Sequence, residues 1–212
     1  MSLSLCNDLY GSEISPHSAL KDWSAILDQW RFELARSIDM TNALDVAYVH
    51  AEHGNSTQFA ISASAVGYVA FREILGGNRG YRGARLDLCL VSDLTIDLIE
   101  AKYVEFDFEH IEKRRIISSK LNSALNEVRG YSNSNSQLFN LNRNVRRVGV
   151  SFVSPFYGLK SHFDENKVYD LLSYIREEIQ PDVLSWSFPH QARNLAYWNR
   201  VHPGTILVAK QE

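Results

Sequence analysis

The chain has 212 residues, 45% hydrophobic and 22% charged, and its 22 Lys and Arg against 25 Asp and Glu leave a formal charge of −3. This is the composition of one globular domain with a real core. No window approaches the ~18 unbroken apolar residues of a membrane span, and the near balance of charge excludes a wholesale polyanion binder, so any nucleic-acid contact must use a local patch. Only Cys6 and Cys89 are present, which excludes a disulfide scaffold. The first residues lack the basic and apolar regions of a secretory signal, so a cytoplasmic protein without a membrane partner is expected.

Trp23, Ile26, Leu27, Trp30 and Leu34 recur at helical spacing behind a candidate cap at Ser18. A second helical segment is expected over roughly 42–53, and a third runs from Thr57 to Leu75, between the Gly54-Asn55 break and Gly76-Gly77. The period then changes. Leu86, Leu88 and Leu90 alternate with Asp87, Cys89 and Val91, and Thr95 to Phe106 is rich in β-formers, so a hairpin with its loop at Ser92 to Thr95 is predicted. Ile117, Leu121, Ala124 and Val128 restore helical spacing over His110 to Val128. A Ser/Asn-rich loop over 133–144 precedes a strand from Val148 to Val153. Asp164 caps a further helix through Val168, Leu171, Leu172, Ile175 and Ile179, halted by Pro181, and short strands at Val183 to Trp186 and Thr205 to Val208 close the chain. This order predicts a single α/β domain over 1–212 with a mixed sheet. It comprises a helical portion to about residue 55, a core over about 56–155 and a C-terminal helix-plus-strands extension over about 156–212.

The chemistry concentrates in the hairpin. Residues two apart in a strand share a face, so Ile96, Leu98, Glu100, Lys102, Val104 and Phe106 form one side, an apolar stripe interrupted by two charges. If the hairpin is regular, Val91 faces Ile96, Cys89 faces Leu98 and Asp87 faces Glu100. Like charges at such positions, with Cβ atoms about 4.5–5.5 Å apart, destabilise a sheet and call for a cation. Lys102, diagonal to Asp87, supplies one. A hard divalent ion bound by two carboxylates and a backbone carbonyl answers more fully, and Mg²⁺, with Mn²⁺ as substitute, suits that donor set. Such an ion polarises a phosphodiester and acidifies bound water, while the lysine stabilises developing charge. The bland alternative is an ion-pair ladder on an edge hairpin. A second Glu-x-Lys, Glu165-Asn166-Lys167, lies in the first turn of a predicted helix, where it is an ordinary solvated charge feature.

Asp87, then twelve residues, then Glu100-Ala101-Lys102, followed by a basic helix and a strand, resembles the PD-(D/E)XK nuclease superfamily, over roughly residues 52–153. The resemblance implies a restriction-endonuclease-like αβββαβ core and DNA phosphodiester hydrolysis. Asp87, Glu100 and the Ala101 carbonyl would hold metal, and Lys102 would be catalytic. Arg85-Leu86 stands where the family's name-giving Pro would precede the acid. The family often adds a Glu from the helix before the sheet, and Glu73 and Glu52 are both candidates, with Glu73 preferred for its closeness to the hairpin.

Lys113, Lys120 and Glu127 recur every seven residues along one line of the predicted helix, and Glu127-Val128-Arg129-Gly130-Tyr131 has the spacing of a Gln-x-x-x-Tyr pattern found in some relatives. Two basic clusters, Arg72, Arg79, Arg82 and Arg85, then Arg143, Arg146 and Arg147, offer phosphate contacts, or plain solubilising charge. His50 and His53 lack the Cys partner or HExxH pattern of a zinc site. The expectation is therefore a Mg²⁺-dependent DNA endonuclease, for which a homodimer would suit duplex cleavage. The competing expectations are a catalytically silent nucleic-acid-binding or assembly subunit and a purely structural α/β protein.

Overall fold

The computed structural model describes residues 8–75, 85–131 and 142–212. In chain order the elements are β1 (Leu9–Ile14), α1 (Ser24–Thr41), α2 (Ala51–Ala65), β2 (Val69–Leu75), β3 (Arg85–Val91), β4 (Thr95–Asp107), α3 (Arg115–Arg129), β5 (Asn144–Gly158), α4 (Glu165–Tyr174), β6 (Val183–Phe188), β7 (Ala196–Tyr197), β8 (Arg200–Val201) and β9 (Thr205–Gln211). Among the described residues the architecture is α/β, with four α-helices and a mixed sheet.

The helical spacing near the start produces α1, which buries Ile26, Leu27, Trp30, Leu34 and Ile38. The expected cap at Ser18 instead closes an earlier turn, its Oγ accepting the Leu20 N–H at 3.0 Å. The expectation of a wholly helical N-terminal portion is corrected by β1, which pairs antiparallel with β6 from Leu9↔Phe188 to Ile14↔Val183. A second correction concerns the helix expected to reach Leu75. α2 runs unbroken through Gly54-Asn55, where the buried Asn55 amide donates to the Ala51 carbonyl at 2.6 Å, but it stops at Ala65. Gly67, at φ +98, then turns the chain into β2. Only glycine enters that backbone region freely, and β-formers Val69, Phe71 and Ile74 follow it.

Seven strands lie in the order β1-β6-β9-β5-β4-β3-β2, and the short β7–β8 hairpin attaches through β8 to β5. The predicted β3–β4 register is observed in Leu88↔Ile99, Cys89↔Leu98, Leu90↔Asp97 and Val91↔Ile96. β4 and β5 run parallel from Thr95↔Asn144 to Asp107↔Phe156, and a parallel pair needs a crossover, which the segment carrying α3 supplies. β5 begins four residues before the predicted strand, at Asn144 rather than Val148. The predicted cap of α4 is observed, with Asp164 accepting the Asn166 N–H at 2.9 Å. The chain leaves the wider turn after α4 at Gln180, left-handed at φ 50, just before Pro181.

Helices cover both faces of β4, which sorts its residues by parity. On one face Ile99 and Ala101 join the core formed by α1 and α2, with Trp23, Phe59 and Phe152. On the other, Ile96 and Leu98 pack with Val128 and Tyr131, while Val104 and Phe106 pack with Ile117, Leu121 and α4. Asp97, on the α1 face, is fully buried and takes Arg146 Nε at 2.5 Å and Nη2 at 2.7 Å and Trp23 Nε1 at 2.8 Å. Arg146 also donates to Asp22 at 2.7 and 2.9 Å. At 2% exposure Arg146 is thus a structural ion pair within β5, and the expectation that it contacts phosphate from a loop is corrected. A guanidinium satisfied this way inside the core has no donor left to offer a ligand.

Candidate active site at the splayed hairpin

Asp87 sits where regular pairing fails on both sides of β3. Toward β4 the ladder stops at Leu88↔Ile99. Toward β2 the pairs Arg72↔Leu88 and Ile74↔Leu86 skip Glu73, which adopts a left-handed φ of 52. The register is the same on both sides of the break, so no residue is inserted, and the left-handed backbone at Glu73 alone interrupts the ladder. Leu86 accordingly packs with Cys89 and Val91, not with Leu88 and Leu90 as strict alternation requires. β4 continues past the point where β3 leaves it, and two of its amides find carboxylates in place of the lost strand. The Ala101 N–H donates to Asp87 Oδ2 at 2.7 Å, and the Tyr103 N–H donates to Glu52 of α2. A strand residue directs its N–H and C=O to the same neighbour, so the Ala101 carbonyl opens toward this edge too.

Lys102 lies next to these groups. Its Nζ donates to Glu100 Oε1 at 2.7 Å and to Glu127 Oε2 at 2.9 Å. Glu127 reaches it because α3 lies very close to the sheet. Gly149, paired with Glu100 in the parallel ladder, has no side chain, and a Cβ built there would stand 2.8 Å from Leu125 Cγ and 2.9 Å from the Leu125 nitrogen. Ser123 Oγ fixes the other oxygen of Glu127 at 2.9 Å. Glu100 and Glu127 thus hold the ammonium, and the Asp87 and Glu52 charges lie near enough to act on the same groups.

Charge balance follows from that crowding. Burial pushes the Glu100 carboxyl up, to about 8, and its contact with Glu127 and the nearby Asp87 charge act the same way against the opposing pull of Lys102. Glu127 moves down: burial opposes this, but its bonds to Lys102 and Glu100 prevail. Burial and the Asp87 charge also raise Glu52. Burial alone would lower Lys102, but hydrogen bonds to Glu100 and Glu127 leave it raised, so it stays an ammonium at neutral pH. Clusters of like charge with displaced proton affinities mark functional sites more often than structural ones.

The sequence-derived set is distributed as follows. Asp87, Glu100, Ala101 and Lys102 come together. The upstream carboxylate beside them is Glu52, and the preference for Glu73 is corrected: Glu73 turns to Arg85 Nη1 at 2.8 Å and His53 Nδ1 at 3.9 Å. Closeness in sequence misled because the positive φ at Glu73 swings it out of the ladder. Arg85 is exposed and engaged by that ion pair. Lys113, in the turn Ile111–Arg114, and Lys120, two turns before Glu127 along the same line of α3, are exposed. Arg147 is half-buried in β5, with Nη2 3.4 Å from the Tyr131 carbonyl. Arg79 and Arg82, and most of the predicted loop over 133–144, lie outside the described residues. His50 and His53 diverge, the first to Asp45 at 2.5 Å and the second to Arg72 at 2.8 Å. The Lys113-Lys120-Glu127 line marked Glu127 correctly, whereas the Tyr103 amide that orients Glu52 left no trace in the sequence.

No family model, curated protein or solved structure matches the chain. The fold and site define an α/β protein whose mixed sheet presents a crowded acid–lysine cluster at a splayed hairpin. Among the described residues no helix is long and apolar enough to cross a membrane. Nor do three or more His, Cys, Asp or Glu side chains among them converge as ready metal ligands. The donor chemistry still fits a hard cation: Asp87, Glu100 and the Ala101 carbonyl share one edge. Two carboxylates plus water are the usual protein share of Mg²⁺ coordination.

Proposed function

We propose that the chain is a Mg²⁺-dependent DNA endonuclease with a restriction-endonuclease-like core. One observation carries the reading: Asp87, Glu100, Lys102 and the Ala101 carbonyl meet where β3 leaves β4. The order α2-β2-β3-β4-α3-β5, antiparallel through the first three strands and parallel between the last two, supports it as the αβββαβ arrangement. Asp87 and Glu100 would hold the ion with the Ala101 carbonyl, and Glu52 would accept bonds from its waters. When bound, the ion supplies charge neutralisation at the phosphodiester and a more acidic water.

The chain's own residues do the rest. Lys102 remains protonated, so its role is to stabilise negative charge developing on the phosphate oxygens rather than to act as a base. Glu127 anchors the ammonium in the resting site, and release of that contact frees it to meet substrate. Cutting both strands of a duplex calls for two such sites, which a homodimer would bring together, and the exposed Lys113 and Lys120 would contact the backbone.

The test is supercoiled plasmid incubated with Mg²⁺, then quenched with EDTA. Nicking is expected from the wild type, and Asp87→Ala, Glu100→Ala and Lys102→Ala should each lose activity by at least about 10²-fold while their melting curves stay cooperative. Retained nicking in the Asp87→Ala/Glu100→Ala double variant overturns the assignment. Gel retardation by the wild type without nicking would instead favour the silent DNA-binding subunit.

A further inference from the structure

On the α2 face of β4, opposite Glu100 and Lys102, lies an open cleft of about 420 Å³, lined by Val49, His50, Glu105, Tyr197, Trp198 and His202 among others. Two elements lead from it toward the cluster. Ala51, on its rim, precedes Glu52, and Glu105 follows Lys102 by three residues on β4. Tyr103, whose amide bonds Glu52, has its side chain near Glu105, Arg200 and Tyr197.

The β7–β8 hairpin forms the outer wall. Tyr197 pairs with Arg200, so its loop is the two residues Trp198 and Asn199, at φ 50 and 61. Such a turn favours Asn-Gly, and a bulky aromatic residue at positive φ is a costly choice. The indole it carries is 82% exposed, which wastes apolar surface unless something stacks on it. The hairpin is firmly seated. Arg200 bonds Glu105 at 2.8 Å and lies 4.2 Å over the Phe156 ring. Tyr197 meets Trp198, His202 and His50 edge-on at centroid distances of 6.1, 6.4 and 5.7 Å. Burial keeps the His202 imidazole below its ordinary range.

An aromatic platform joined to the Glu52 end of the cluster through Ala51 and Tyr103 suits one ligand class. We propose that Trp198 and the adjoining cleft stack an unpaired nucleobase flanking the scissile phosphate, making DNA with a single-stranded stretch the preferred substrate. The inference rests on the nuclease reading of the cluster. Every base offers a π-face, so the contact is indifferent to sequence, whereas the bases of an intact duplex are already stacked and cannot enter. Glu105 on the cleft rim disfavours phosphate there, leaving the base as the group that enters.

Fluorescence tests this directly, because the other three tryptophans, Trp23, Trp30 and Trp186, are 0, 0 and 9% exposed. Intact wild-type protein is titrated in EDTA with short oligo(dT) and with blunt duplex at equal phosphate. Oligo(dT) should quench the emission and the duplex should not. By anisotropy of a labelled oligo(dT), Trp198→Gly, which suits the turn and removes the ring, should bind about tenfold or more weakly, and Trp198→Phe should stay near wild type. Equal quenching by both nucleic acids, or unchanged affinity in Trp198→Gly, overturns the proposal. Binding is read without metal, so a chain that never cleaves can still pass this test, and an active nuclease can fail it.

Discussion

Two carboxylates three residues apart on β4 meet opposite fates. Asp97 points toward α1 into a closed network, where Arg146 and Trp23 match its oxygens within a fully dry pocket. Glu100 points toward α3 into a cluster where carboxylates outnumber ammonium groups and burial holds its carboxyl up. Burial raises both pKa values, but at Asp97 the guanidinium opposes the rise, whereas at Glu100 two further acids reinforce it against Lys102. The lesson is that a buried charge with a complete partner is architecture, and a buried charge left unbalanced is capacity for a ligand.

Breaking the closed side should cost most. Arg146→Ala leaves Asp97 and Asp22 without their cation and is expected to destabilise the fold by about 3–5 kcal/mol in urea unfolding at neutral pH. A smaller loss would mean that water reaches Asp97. The open side should instead register in pH. The Glu100 carboxyl is raised from 4.5 to about 8, so the folded protein binds an extra proton across that window and loses metal-free stability as pH climbs through it. The slope should approach about 1.4 kcal/mol per pH unit for the wild type and flatten in Glu100→Gln, which should be the more stable of the two at pH 8.

Smaller effects sharpen the contrast by moving the parts around Lys102. Gly149→Ala forces α3 off the sheet and should cost about 1–3 kcal/mol, with loss of nicking beyond what the stability change explains. Smallest of all, Glu73→Gln touches only an exposed pair with Arg85 and should shift stability by no more than about 0.5 kcal/mol and leave nicking unchanged. Glu52→Gln should lower nicking. The reverse ranking of Glu52 and Glu73 would restore the sequence-based choice.

Alternation legible in residues 86–106 gave the hairpin and its register, because a half-buried strand leaves a period-two trace and a short polar turn fixes the pairing. It also brought Asp87 near Glu100 and Lys102, although the expected Asp87–Glu100 cross-strand pair does not form, the ladder stopping at Leu88↔Ile99 while Asp87 accepts the Ala101 N–H. The break in pairing at Asp87 was not legible, since it depends on a left-handed Glu73 that no residue type announces. β1 escaped notice because its residues, Leu9 to Ile14, include Gly11 and Ser12 and pair with a strand far along the chain. Arg146 read as a surface cation because sequence cannot show that its neighbour in the adjacent strand is an acid in the core.

The claim that Asp87 and Glu100 are crowded together to receive a divalent ion is tested most directly by calorimetric titration of the metal-free protein with Mn²⁺. A single saturable site is expected in the wild type and in Glu73→Gln, and no detectable heat in Asp87→Ala or Glu100→Ala. Wild-type binding that survives loss of both carboxylates, or no binding by the wild type, would contradict it.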